Sequence, residues 1–64
     1  MDFEELKNSV NEWLWDGELG TYFWILEVDS GSKIIKARGL SGRQTALVFS
    51  KDRFFKNIKT VRRW

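Results

Sequence analysis

Cysteine, histidine and proline are all missing from this 64-residue chain. Without cysteine there can be no disulfide and no thiolate zinc site. Without histidine there is no imidazole ligand, and the absence of both removes every Cys or His nucleophile and base pair. The remaining acid/base groups of the usual kind are carboxylates, and most of them fall on the outside of an expected helix or in turns. The sequence is therefore expected not to encode an enzyme, and no catalytic residue, metal, cofactor or small-molecule substrate is expected. No repeat or low-complexity run marks a linker. No apolar run approaches the roughly 20 residues of a membrane span. The N-terminus opens with Asp2, Glu4 and Glu5, where a signal peptide would carry positive charge. The expectation is a soluble, cytoplasmic protein without a membrane role, and the lack of cysteine fits a reducing compartment.

The length allows a single small domain, residues 1–64, because so short a chain buries only about 60% of its unfolded surface. A core of that size seldom supplies more than about 3–5 kcal/mol unless packing is dense or copies associate. The packing material is present. Four Trp, five Phe and one Tyr give ten aromatics, each able to bury about 150–250 Å².

The net charge of +2 conceals a division along the chain. Residues 1–30 hold eight carboxylates against Lys7 alone, a net of −7 (1 − 8), whereas residues 31–64 hold ten basic residues against Asp52 alone, a net of +9 (10 − 1). Such asymmetry points to a polyanion or a charged protein partner.

Asp2, with Glu5 three residues on, has the form of a capping box. Phe3, Leu6, Val10, Trp13 and Leu14 follow at helical spacing, and Gly17 supplies a stop. An amphipathic helix is predicted over residues 3–15, with Trp13 and Leu14 in its buried stripe and Trp15 off it, wrapping the helix end or marking an interface. From Thr21 the residues become aromatic and β-branched, predicting strands over 21–28, 33–39 and 44–50, separated by turns at Asp29–Ser32 and Leu40–Arg43. A fourth strand is predicted over 58–63. The fold class is α+β: an N-terminal amphipathic helix on a three- to four-stranded antiparallel β-meander.

Two-residue turns at Ser30–Gly31 and Ser41–Gly42 would pair Leu26 with Ile35, Trp24 with Ala37, Tyr22 with Gly39, Ala37 with Ala46 and Ile35 with Val48. Tyr22, Trp24, Leu26 and Val28 would then line the core face. The opposite face would mix Phe23, Ile25, Ile34, Leu47 and Phe49 with Glu27, Lys36, Arg38 and Thr45. That face is too apolar to stay in water. Either the last segment folds over it, making a small SH3-like barrel, or a partner covers it.

Aromatic and basic residues sharing a sheet face is the pattern by which small modules stack bases and track phosphates. Phe23 facing Arg38, with Lys36 beside it, fits that pattern. The competing reading makes these residues a second core layer covered by aliphatic stems. The basic tail of Lys56, Lys59, Arg62, Arg63 and Trp64 is a second candidate contact for a phosphate backbone or an acidic protein surface; as a solvated or internally paired face it would do neither. Gly39 to Gly42, followed by Arg43, spells a phosphate-clamp spacing, but a hairpin turn accounts for it. Asp16 and Glu18 could meet a cation with Asp29, and a solvated loop explains them as well. The function expected is a small binding protein, in first place for nucleic acid through Phe23, Lys36, Arg38, Arg43 and the basic tail. The alternative is a protein-interaction module: an inhibitor or regulator of a larger intracellular protein, bacterial or phage-encoded, or an accessory protein that forms a homodimer through the mixed sheet face.

Overall fold

A computed structural model describes residues 1–56. One short helix, α1 (Phe3–Lys7), precedes five strands: β1 (Trp13–Asp16), β2 (Thr21–Asp29), β3 (Ile34–Gly39), β4 (Gln44–Val48) and β5 (Phe54–Phe55). The strands form one antiparallel sheet in the order β4-β3-β2-β1-β5. The architecture is α+β with an open antiparallel sheet; no pairing of β4 with β5 closes it among the described residues. The strand predicted over 58–63 lies outside them. No helix is long and apolar enough to cross a membrane among the described residues.

The helix begins as its capping box dictates. The Asp2 carboxylate accepts from the Glu5 amide at 2.9 Å, and the Glu5 side chain accepts from the Asp2 amide. It ends at Lys7, however, and not at residue 15. The reason lies in Asn8, Ser9 and Asn11, residues whose side chains compete with the helical ladder. The Ser9 hydroxyl donates to the Glu5 carbonyl at 2.8 Å, and Asn11 turns the chain in the left-handed region (φ 68°). The Asn11 amide then donates to Ile25 O at 2.7 Å, starting the pairing with β2. Trp13, Leu14 and Trp15 thus alternate across a strand instead of sharing a helical stripe. Tertiary pairing on both sides of β1 outweighs the helical potential of a segment too short to be a stable helix alone.

In β2 before its bulge and in β4 the two faces are the reverse of the expectation, whereas Val28, Ile35 and Ala37 face inward and Glu27, Lys36 and Arg38 outward as expected. Asp29 pairs with Ile34 across a four-residue loop in which Lys33 is left-handed (φ 60°), and Arg38 pairs with Gln44 across a longer turn closed by a Gly39 amide to Arg43 carbonyl bond. Both hairpins therefore differ in register from the two-residue turns expected. Opposite Ala37 stand Ile25 and Thr45, not Trp24 and Ala46, and opposite Ile35 stand Val28 and Leu47. Because side chains alternate, a one-residue slip exchanges the faces of a strand. A β-bulge between Ile25 and Glu27 changes the phase of β2, so that Phe23, Ile25 and Val28 can all face inward.

Leu14, Phe23, Ile25, Ile35, Ala37, Leu47 and Phe54 are buried on the inner side, and Leu6 of α1 closes over them with Met1, Phe3, Val28 and Phe49 around the margin. The Phe3 ring meets Phe49 edge-on at 5.2 Å, and the Lys33 ammonium sits 4.8 Å from the same ring. The helix accordingly covers the end of the sheet where β3 begins.

Arg53 fastens the structure from the segment before β5. Its guanidinium donates to both oxygens of the buried Asp16 (Nε to Oδ1 3.0 Å, Nη2 to Oδ2 2.8 Å) and to the Val48 carbonyl at 3.2 Å. Asp16 also accepts from the amides of Glu18 and Leu19, so its burial leaves nothing unpaired. Hydrogen bonding to Asp16 holds the Arg53 pKa above its ordinary value. Gly17 brings its amide to 2.7 Å from Arg53 O, and a Cβ at that position would stand 3.3 Å from both this oxygen and the Phe55 ring.

Candidate nucleic-acid interface

The outer face of the sheet is built by the same alternation that builds the core. On β1, Trp13 and Trp15 flank the buried Leu14; on β2, Tyr22 and Trp24 flank the buried Phe23; on β3, Lys36 and Arg38 flank the buried Ala37. Cross-strand pairing lines these up in two rows. Trp13 stands opposite Trp24, which stands opposite Arg38. Phe55 stands opposite Trp15, which stands opposite Tyr22.

Within each row the rings meet edge to face. Trp13 and Trp24 have centroids 5.5 Å apart at 72°, and Trp15 and Tyr22 are 5.0 Å apart at 70°. This geometry suits the ring quadrupoles and fixes the rings against one another. Trp13 keeps 44% of its surface exposed, while Trp15, Tyr22, Trp24 and Phe55 are half-buried by their neighbours. The two rows contain the Arg38 guanidinium and no carboxylate. The next row along β2 and β3 holds Lys36 and Glu27, whose charged groups stand 3.9 Å apart and mostly in water, a pairing worth at most about 1 kcal/mol. Val48, 58% exposed, Ala46 and Ile34 extend the same face across β3 and β4.

Several residues named from the sequence occupy different places. Phe23 has no place on the outer face, because the register turns it to the inner side of the sheet with 6% exposure. Lys36 and Arg38 are exposed on the outer face as expected, but with Trp24 in the place assigned to Phe23. Arg43 lies exposed in the β3–β4 turn, where it lines a groove with the inward-facing Phe23 and Thr45, and Lys56 follows β5, exposed. Lys59, Arg62, Arg63 and Trp64 lie outside the described residues. Asp16 is committed to Arg53. Asp29 caps its own turn, accepting from the Gly31 amide and the Ser32 hydroxyl, each at 2.9 Å. The Ser32 hydroxyl, and then the Gly31 amide, hold the Asp29 pKa below its ordinary value.

The sequence reading places Trp13, Tyr22 and Trp24 in the core and leaves Trp15 off the buried stripe, whereas the pairing puts all four on the outer face. The signal was in β3, whose alternation of Ile35 and Ala37 with Lys36 and Arg38 identifies its own inner side. Leu14 and Ile25 carry no polar atom in their side chains, whereas Trp and Tyr carry an N–H or O–H that is easier to leave beside water. No family model matches this chain, and no curated protein or solved structure matches it either.

Proposed function

We propose that the chain binds single-stranded nucleic acid on the outer face of its sheet. The observation that carries this reading is the pair of aromatic rows beside Arg38, free of carboxylates. Bases stack on exposed ring faces whatever their sequence, each such contact being worth about 1–3 kcal/mol, and a neighbouring guanidinium neutralises phosphate. A duplex hides the faces of its bases, so single strands are the substrate class favoured. Trp13, Trp15, Tyr22 and Trp24 act as the stacking surface, while Arg38 and Lys36 contact the backbone.

Quenching of tryptophan fluorescence by oligothymidylate and oligouridylate at low and high salt tests the reading. Saturable quenching at low salt that weakens as salt rises is the expected result. Absence of quenching at low salt rejects it. A second reading, docking of a protein partner, is favoured by the apolar extension of the same face through Ile34, Ala46 and Val48. Binding insensitive to Arg38→Gln but lost in Val48→Asp supports that alternative.

A further inference from the structure

The inner face of the sheet is not covered throughout. Helix α1 closes the end near Phe49 and Lys33, whereas at the other end Thr21, Phe23, Gly39 and Thr45 form the floor of an open groove of about 410 Å³. Small-molecule sites span about 300–1,000 Å³, and this groove falls within that range. Its rims are Leu19 from the β1–β2 turn and Leu40 from the β3–β4 turn, which are 59% and 69% exposed.

Two apolar side chains so exposed, facing each other across a partly aromatic floor, offer an apolar body a place to lie. Arg43 stands at the groove with no carboxylate in its lining. The nearest acid in sequence to the rim, Glu18, is drawn away to Arg53 at 3.6 Å. Arg43 itself makes no ion pair among the described residues. The remaining polar groups of the lining are the hydroxyls of Thr21, Ser41 and Thr45, which donate to an acid as readily as they accept.

From this lining we infer a second binding site, for a small amphipathic carboxylate: an apolar body between Leu19 and Leu40 over Phe23, and a carboxylate on the Arg43 guanidinium. The charge complement selects the head group, since the exposed Arg43 guanidinium attracts an anion, repels a cation and adds nothing for a neutral ligand. The site is on the opposite side of the sheet from the aromatic rows and stands independently of the nucleic-acid reading.

Methyl NMR of the full chain, titrated with 4-phenylbutyrate and with its neutral counterpart 4-phenylbutan-1-ol, tests the site. The expected result is a saturable shift of the Leu19, Leu40, Thr21 and Thr45 methyls, with the carboxylate binding more tightly than the alcohol. Arg43→Gln, in an exposed turn, should weaken the carboxylate about tenfold, the scale of a hydrogen bond to a charged group, and leave the alcohol unchanged. Leu40→Ser should weaken both. The proposal is overturned by methyl shifts that do not saturate or that fall elsewhere, by an equal loss of both ligands in Arg43→Gln, or by a Leu40→Ser variant that binds both as before. Oligonucleotide quenching should be the same in Arg43→Gln as in the parent chain, so failure of one site is read separately from failure of the other.

Discussion

Where β1 and β2 lie side by side, the two faces of the sheet use different kinds of apolar residue. Inside are Leu14, Ile25, Ile35, Ala37 and Leu47, with Phe23 and Phe54; outside are Trp13, Trp15, Tyr22 and Trp24 with Arg38. Both faces are rich in carbon, and counting hydrophobic residues would not tell them apart. The distinction is that the inner residues have no hydrogen-bonding group to satisfy, whereas the outer rings combine a large stacking area with a polar edge. Stability should therefore depend mainly on one side and binding mainly on the other.

The comparison can be broken at several points. Asp16→Ala should have the largest effect, because it removes the buried carboxylate that satisfies the Arg53 guanidinium and the amides of Glu18 and Leu19 at once; a loss of about 3–5 kcal/mol in unfolding free energy is expected by urea denaturation. Ile25→Ala, in the same core, should lose about 2–4 kcal/mol through lost burial and a cavity, without altering the oligonucleotide affinity of the folded fraction. Trp24→Ala should reverse that pattern. It should weaken oligonucleotide binding by about 1–3 kcal/mol per lost stack, while stability falls by only about 1 kcal/mol. If Trp24→Ala destabilises as much as Ile25→Ala, the division between the faces is wrong.

Smaller effects sharpen the picture. Arg38→Gln should lower the slope of log affinity against log salt by about 0.7, one phosphate contact on a single strand, with folding unchanged. Asp29→Asn should lower stability slightly at neutral pH and flatten its dependence on acid. Because the folded pKa of Asp29 is depressed, the ionised turn contributes stability above the unfolded carboxylate value, and that contribution is lost as pH falls through the folded value. The variant should therefore show a shallower loss of stability across the acid range, followed by circular dichroism.

Much of this organisation can be read from residues alone. The capping pair Asp2 and Glu5, the strand compositions from Thr21 to Val48 and the Gly-containing turns all act locally, and local chemistry is what a sequence displays. The length of the helix is decided by Ser9 and Asn11, which turn the chain, together with β1 finding β2 and β5, partners distant in sequence. The sidedness of β2 turns on the bulge at Leu26, a residue of the same apolar type as Ile25 before it, so nothing in its side chain marks the irregularity. That one position moved Phe23 from a predicted stacking surface into the core and brought Trp24 out beside Arg38. The basic strand residues Lys36 and Arg38 were legible as surface, while the identity of their aromatic neighbours required the register.

The fork of Arg53 has a consequence for shape. β4 and β1 are separated in the sheet by β3 and β2, so in a flat sheet they would lie about 14 Å apart even at the same level. One guanidinium nevertheless reaches the last carbonyl of β4 and the last carboxylate of β1, within 3.2 Å of each. The sheet must bend around that clasp as a stave bends under a hoop. Its concave side draws side chains together, which suits compact aliphatic groups, and its convex side spreads them apart, which leaves room for the larger rings of Trp13, Trp15, Tyr22 and Trp24 to meet edge to face. The ion pair that locks the interior thereby sets the spacing of the exterior.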